Sequence, residues 1–250
     1  MKIDINCDMG ESYGRFRIGN DEEIMPYISS CNIACGMHGG DPSTVIDTIQ
    51  MASALGKNVG AHPSYPDHIG FGRRSMSLSY KEAFDLVVFQ VATLYTLAAR
   101  AGTKLSHVKV HGALYNDAAK DKDLARPIVD AIKYIDPNLK IFTLPDSEVS
   151  AVAEELEMAV VREAFADRRY TEDLSLQSRS IPGAVLEDPE MAADQVLNIV
   201  KNQEVETATG MKTRLQADTL CIHGDTPTAV SIARTIYDRL QSEGINIGSW

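Results

Sequence analysis

Four of the six histidines in the chain, His38, His62, His111 and His223, come just after short runs of apolar residues. Carboxylates keep the same company: Asp8 and Glu11 follow the first run, Glu163 and Asp167 a later one, and Asp225 stands beside His223. Imidazole exchanges protons near neutral pH and carboxylates accept them. A pocket holding several of each is equipped for general acid–base catalysis or for metal binding. A single histidine after a strand is more often a hydrogen-bonding loop anchor. Anchoring, however, gives no reason for so many to occupy equivalent places. Asp41 and Asp225 each precede a helix start, where capping competes with chemistry.

No short ligand motif joins these histidines, which come from separate segments. Asp8 with two of them is one way to hold a divalent cation, and the spacing neither supports nor excludes it. Cys31 and Cys35 have no second cysteine pair and fall on an apolar run, so buried thiols are expected in place of a zinc site. Cys7 reads as core, while Cys35 stays open as a nucleophile. Gly70-Phe71-Gly72-Arg73-Arg74 is a different signal. Its glycines let backbone approach a ligand, and adjacent arginines grip a carboxylate or phosphate through paired hydrogen bonds. A flexible loop with solvated charges has equal standing. Arg168 and Arg169 beside Asp167, and Arg179, are further anion-binding candidates. Lys109 alternates with strand residues and is expected to point inward, where a cation stabilises developing oxyanion charge. The chain has neither a P-loop nor a dinucleotide fingerprint after its first strand, so a nucleotide must bind by another device or on another chain.

The elements that must position these groups alternate between β-branched runs and amphipathic helices, the rhythm of a parallel sheet with crossover helices. Strands are expected at Lys2 to Cys7, Ser30 to Ala34, Asn58 to Ala61, His107 to Val110, Lys140 to Leu144, Met158 to Val161 and Thr219 to Ile222. Helices are expected from Pro42 to Leu55, Ser79 to Arg100, through Ile135, Asp146 to Leu156, Pro189 to Lys201 and Thr226-Pro227 to Ser242. Asp41-Pro42 and the Ser79–Glu82 capping box mark two of the starts. Seven strand–helix pairs indicate an α/β fold, a single TIM-like (β/α) barrel, seven-stranded and distorted, spanning 1–250 as one domain. The C-terminal strand ends of such a barrel converge, and active sites are built there.

A net charge of -11 opposes binding to nucleic acid or an anionic membrane. No segment is expected to reach the roughly 20 apolar residues of a membrane helix, and the N-terminus lacks signal-peptide features. Four cysteines are too few for a disulfide framework in 250 residues, which fits a reducing cytoplasm.

Several long blocks resemble the LamB/YcsF family, the A subunits of ATP-dependent 5-oxoprolinase. They are IDINCDMGESYG (Ile3 to Gly14), NIACGMHGGDP (Asn32 to Pro42), GAHPSYPDHIGFGRRSM (Gly60 to Met76), VKVHGALYN (Val108 to Asn116), EAFADRRYTEDLSL (Glu163 to Leu176), RSIPGAVL (Arg179 to Leu186) and CIHGDTP (Cys221 to Pro227). The resemblance implies a glycoside hydrolase/deacetylase-like barrel that works with B and C subunits. That complex opens 5-oxoproline to L-glutamate, with ATP as co-substrate. Departures from the family pattern fall at Ser12, Met37, Val110 and near Leu174, where the family has a glycine; none removes an ionisable candidate. On this reading Asp8, His62 or His111 activates water, Glu163 or His223 protonates the departing nitrogen, and Lys109 stabilises negative charge. Asn6, Glu11, His38, Arg73, Arg74, Asp167 and Arg168 are assigned to substrate binding. Two rival readings are a stand-alone metal-dependent amidase or carbohydrate deacetylase, and a non-catalytic subunit that binds the lactam.

Overall fold

The structure, a computed structural model, describes residues 1–249. The chain begins with β1 (Lys2–Met9), α1 (Asp21–Ile24), β2 (Ser30–Ala34), α2 (Pro42–Ala54), β3 (Asn58–His62) and α3 (Tyr80–Arg100). It continues through β4 (Leu105–Val108), α4 (Gly112–Ala118), α5 (Lys122–Ile135), β5 (Lys140–Thr143), α6 (Glu148–Glu155), β6 (Val160–Phe165) and α7 (Pro189–Asn202). It ends with the β7 (Glu204–Glu206) and β8 (Lys212–Arg214) hairpin, β9 (Thr219–Ile222), α8 (Ala229–Ser242) and β10 (Asn246–Ile247). The fold is α/β, a TIM-like (β/α) barrel whose seven strands are β1 to β6 and β9. Residues pack as two compact units: 1–7, 19–29 and 162–249 form one, and 8–18 with 30–161 form the other.

In the second of these units β2, β3, β4 and β5 lie side by side in chain order, all parallel. Helix starts are set by local chemistry. The Asp41 carboxylate accepts from Ser43 and Thr44 N–H ahead of Pro42, so its capping role is realised. Ser79 and Glu82 cap α3 reciprocally. Buried Ala83, Val87, Gln90, Val91, Leu94 and Ala98 recur at helical spacing on α3, the pattern of a helix seated on a core. Contrary to the sequence expectation, α3 is long and apolar enough to cross a membrane by length and composition, with a mean hydropathy of 1.3. Its exposed charges, Lys81, Glu82, Asp85 and Arg100, are confined to the two ends, which leaves the middle of the helix apolar.

Strand β4 starts and ends two residues earlier than the apolar pattern suggests. The extended pairing nevertheless runs on: Lys109 N–H donates to Ala61 O at 3.0 Å and His111 N–H to Pro63 O at 2.8 Å. His107, Lys109 and His111 therefore alternate along one line, and one side of the backbone receives all three.

In the other unit β1 pairs with β9 and β10, and β9 with β6, all parallel. Strand β6 runs on to Phe165, past the Val161 end expected from sequence, so Glu163 sits within the strand and not after it. Charged residues at 162 and 163 halt a reading by hydrophobicity, but both find polar partners in place. Arg162 forks onto Asp218 at 2.7 and 2.8 Å, and Glu163 Oε1 accepts from the Asn6 amide at 3.0 Å. Helix α8 starts at Ala229, later than Thr226-Pro227, because Thr228 serves as the N-cap residue and makes no side-chain cap bond. Leu174 is held at a left-handed φ of 61°, which accounts for a glycine near this position in the family pattern.

Candidate active site

Six side chains of unlike chemistry meet within the unit made of residues 8–18 and 30–161. Asp8 arrives near the end of β1 and Glu11 from the turn after it. His38 comes from the loop after β2 and His62 is the last residue of β3. Lys109 and His111 extend β4. All six are buried. Lys109 Nζ donates to Asp8 Oδ1 at 2.9 Å, and Asp8 Oδ2 lies 3.3 Å from His62 Nε2. His62 Nε2 and His111 Nδ1 are 2.9 Å apart. Glu11 Oε1 is 3.0 Å from His38 Nε2 and 3.5 Å from His111 Nδ1. The His38 and His111 rings stack with centroids 3.7 Å apart.

The outer nitrogen of each ring is tied to a group behind it. His62 Nδ1 meets the Lys109 carbonyl at 2.7 Å and His111 Nε2 the Phe71 carbonyl at 2.9 Å. His38 Nδ1 meets the Ser64 hydroxyl at 2.9 Å. Such outer contacts fix ring orientation and tautomer. Burial first, and then the neighbouring histidines, hold His38 and His111 well below the usual histidine range, so neither ring charges readily. Glu11, His38, His62 and His111 each offer one ligand atom, and these four atoms lie within 4.8 Å of one another.

Sequence reasoning missed the layer behind this cluster. Asn32 donates to Asp8 Oδ1 at 2.8 Å, and its own carbonyl faces His107 Nε2 at 2.8 Å. Burial, then the charge of Lys109, lowers His107 to about 3, so it works as a neutral donor into the chain His107–Asn32–Asp8. The available signal was a polar residue in the middle of an apolar strand, at Asn32, together with the two-residue period His107, Lys109, His111. Gln90 is the other omission. Fully buried on α3, its amide accepts from Ser64 N–H and donates to Ser64 O, each at 2.9 Å, clamping the loop that holds His38. Gln90→Leu is expected to strand both backbone groups and cost roughly 3 kcal/mol. A urea titration showing an unchanged midpoint would disprove the clamp.

The glycine–arginine loop is less open than its composition suggests. Asp67 accepts from Gly70 N–H at 2.8 Å and from Arg74 Nε at 2.9 Å, and the arginine's fork holds Asp67 down to about 2. Arg74 is thus engaged within the loop, while the Arg73 guanidinium lies over the Phe71 ring at 4.9 Å. Phe71 and Gly72 take φ values of 54° and 63°. This left-handed pair aims the Phe71 carbonyl at His111, local strain maintained where it orients a side chain. Cys35 is buried, and burial pushes its thiol well up, which argues against a thiolate nucleophile.

The remaining expected residues belong to the other unit. Asn6 bridges Glu163 Oε1 and Thr219 Oγ1, and Thr219 in turn donates to Asp4, a buried polar ladder across β6, β9 and β1. His223 is held by Asp167 twice over: its backbone N–H donates to Oδ2 at 3.0 Å and its Nδ1 to Oδ1 at 2.8 Å. Asp167 is kept below the usual carboxylate range although burial, its largest influence, acts the other way; His223 outweighs it. Arg168 is turned into its own loop, donating to the Gln177 carbonyl at 2.6 Å, and Arg179 lies 3.9 Å from Asp225.

The sequence profile of the LamB/YcsF family matches residues 3–250. The chain is 50% identical over 245 residues to the 5-oxoprolinase A subunit of Bordetella pertussis, covering 98% of this chain and 97% of that protein. It is 45% identical over 247 residues to the 5-oxoprolinase A subunit of Pyrococcus abyssi, covering 99% and 97%. The crystal structure of a lactam utilization protein from Thermus thermophilus superposes with a TM-score of 0.95 at 42% identity, covering all of both chains. A peptidoglycan N-acetylglucosamine deacetylase domain from Eubacterium rectale shares the fold alone, with a TM-score of 0.52 at 8% identity, over 98% of this chain and 87% of that one.

Proposed function

The chain belongs to the LamB/YcsF family, and on that premise we propose that it is the A subunit of an ATP-dependent 5-oxoprolinase. In this role it takes part in the hydrolytic opening of 5-oxoproline to L-glutamate in the cytoplasm. The observation that carries this reading is the likeness, over nearly the whole chain, to proteins named for that subunit. The site chemistry supports it. A five-membered lactam is a resonance-stabilised amide whose carbonyl carbon is a poor electrophile. Phosphorylation of its oxygen by ATP opens that carbon to water. The chain lacks a P-loop, so the nucleotide binds by another device here or on the B and C subunits.

Hydrolysis then needs an activated water, a cation near the developing negative charge and a proton for the departing nitrogen. Asp8, His62 and His111 are the groups for the first task, and Lys109, fixed on Asp8, supplies positive charge in the same buried cluster. Arg73 is the better candidate of the arginine pair for a substrate carboxylate or phosphoryl group, since Arg74 is committed to Asp67. Of the two residues considered as proton donor, His223 is favoured: Asp167 accepts from its Nδ1 and orients the ring as in an Asp–His pair that passes a proton through Nε2, whereas Glu163 is fully buried against Asn6. Asp167→Asn offers an amide N–H where a carboxylate oxygen accepted. It is expected to lower kcat of the assembled enzyme about 10²- to 10⁴-fold with little change in KM. An unaltered kcat would remove His223 from proton transfer.

The function itself is tested by combining the chain with B and C subunits, 5-oxoproline and ATP, and following glutamate and phosphate together. Equal yields are expected. Glutamate without phosphate, or turnover by the chain alone, would overturn the assignment in favour of an ATP-independent amidase. Pocket variants that bind the lactam and leave turnover untouched would indicate a purely binding role.

A further inference from the structure

We propose that Glu11, His38, His62 and His111 form a binding site for one divalent transition-metal ion, a deepening of the proposed function that rests on the same cluster. The case is a count of protons. A carbonyl oxygen only accepts, so the Lys109 carbonyl requires a proton on His62 Nδ1 and the Phe71 carbonyl requires one on His111 Nε2. In neutral rings this leaves an electron pair on His62 Nε2 and another on His111 Nδ1, and these two atoms face each other at 2.9 Å. The Ser64 hydroxyl points to the Tyr65 carbonyl at 2.9 Å and so accepts from His38 Nδ1, which leaves a third pair on His38 Nε2, facing Glu11 Oε1 at 3.0 Å. Three nitrogen electron pairs and a carboxylate oxygen thus converge, and none of the four atoms brings a proton to the others.

Protons are a poor solution. Two would be needed, one between His62 and His111 and one between His38 and Glu11. The first would place positive charge on a buried ring, and the second would either discharge the Glu11 carboxylate or charge His38, which stacks on His111. One divalent cation satisfies all four atoms at once. Donors about 2.1 Å from a tetrahedral ion stand about 3.4 Å apart; neighbouring donors here are 2.9, 3.0 and 3.5 Å apart and all four lie within 4.8 Å of one another, so small side-chain shifts bring the set onto one ion. Three imidazoles and one carboxylate select zinc, cobalt, nickel or iron over magnesium or calcium, which prefer oxygen throughout. The outer contacts to Lys109 O, Phe71 O and Ser64 are the hydrogen bonds that ligating histidines commonly make. A bound ion of this kind lowers the pKa of a coordinated water, which is the activation the hydrolysis requires.

The test uses the full-length chain, stripped with a chelator, reloaded with cobalt(II) alone and dialysed. About one cobalt per chain, with visible absorption of a coordinated ion, is expected. Ser64→Ala, which releases His38, should weaken cobalt binding about 10- to 100-fold. Glu11→Gln and His111→Ala should weaken it further, each checked for fold by circular dichroism. A folded wild-type chain that keeps no cobalt, zinc, nickel or iron would overturn the proposal and leave bridging protons as the explanation. Equal retention by wild type and the folded Glu11 and His111 variants would overturn it as well. Metal content is read without turnover, so a chain that binds the ion but forms no glutamate would sink the oxoprolinase reading and spare the site.

Discussion

Asp8→Asn is expected to cost the protein about 3 to 5 kcal/mol of stability and to reduce turnover of the assembled enzyme by at least about 10³-fold. The substitution separates charge from hydrogen bonding. An asparagine can keep its oxygen towards Lys109 and Asn32, which both donate to Asp8 Oδ1, and turn its amide N–H towards His62 Nε2. What it cannot supply is the negative charge opposite Lys109, whose side chain is 3% exposed. An ammonium group that loses this counter-ion in a buried setting is less well compensated for its desolvation. The same amide N–H would occupy the electron pair on His62. A second change separates the two losses. Asp8→Asn with Lys109→Met removes the ammonium as well, so chemical denaturation should recover most of the stability while glutamate formation stays lost. Equal instability in the single and double variants would show that the pair's charge is not what holds this cluster together.

The second large effect concerns a residue with no side chain. Gly60 lies on β3 opposite His107, at an irregularity in the β3–β4 register. A Cβ at this position would come within 2.1 Å of His107 Nε2 and 2.4 Å of two ring carbons. That ring is wedged: it stacks on Phe142 with centroids 4.0 Å apart and bonds to Asn32 at 2.8 Å. It cannot retreat without breaking the relay to Asp8. Gly60→Ala should therefore destabilise by about 3 kcal/mol or more, and displaced His107 should lower turnover as well. Replacing the ring by a small side chain makes room, so the Gly60→Ala, His107→Ala pair should be more stable than Gly60→Ala alone. Thermal melts showing strictly additive losses would contradict the direct clash.

Much of the architecture is legible before any coordinates. The caps at Asp41 and Ser79 involve residues two or three positions apart, so composition specifies them almost by itself. The two-residue period at His107, Lys109 and His111 is equally local, and it indicates a shared direction. Where reading by hydrophobicity stopped short, as at β6, charged residues with remote partners were the cause: Arg162 and Glu163 find theirs at Asp218 and Asn6, distant in the chain. The layer supporting the cluster escaped notice for the same reason. Nothing near Asn32 in sequence reveals that it will join His107 to Asp8, and nothing near Gln90 reveals that it will clamp Ser64.

From the residues alone came the α/β class, the family and the set of acids and imidazoles placed near strand ends, because each depends on short-range pattern. The tertiary structure decided which atoms meet. Lys109 and Asp8 are 101 positions apart, and only strand register brings them together. It also decided that Arg74 and Arg168 are spent on local partners, and that carbonyl groups set the tautomers of His62 and His111. Hydrogen bonds form over about 3 Å, and no regularity in a linear chain specifies separation in space at that scale.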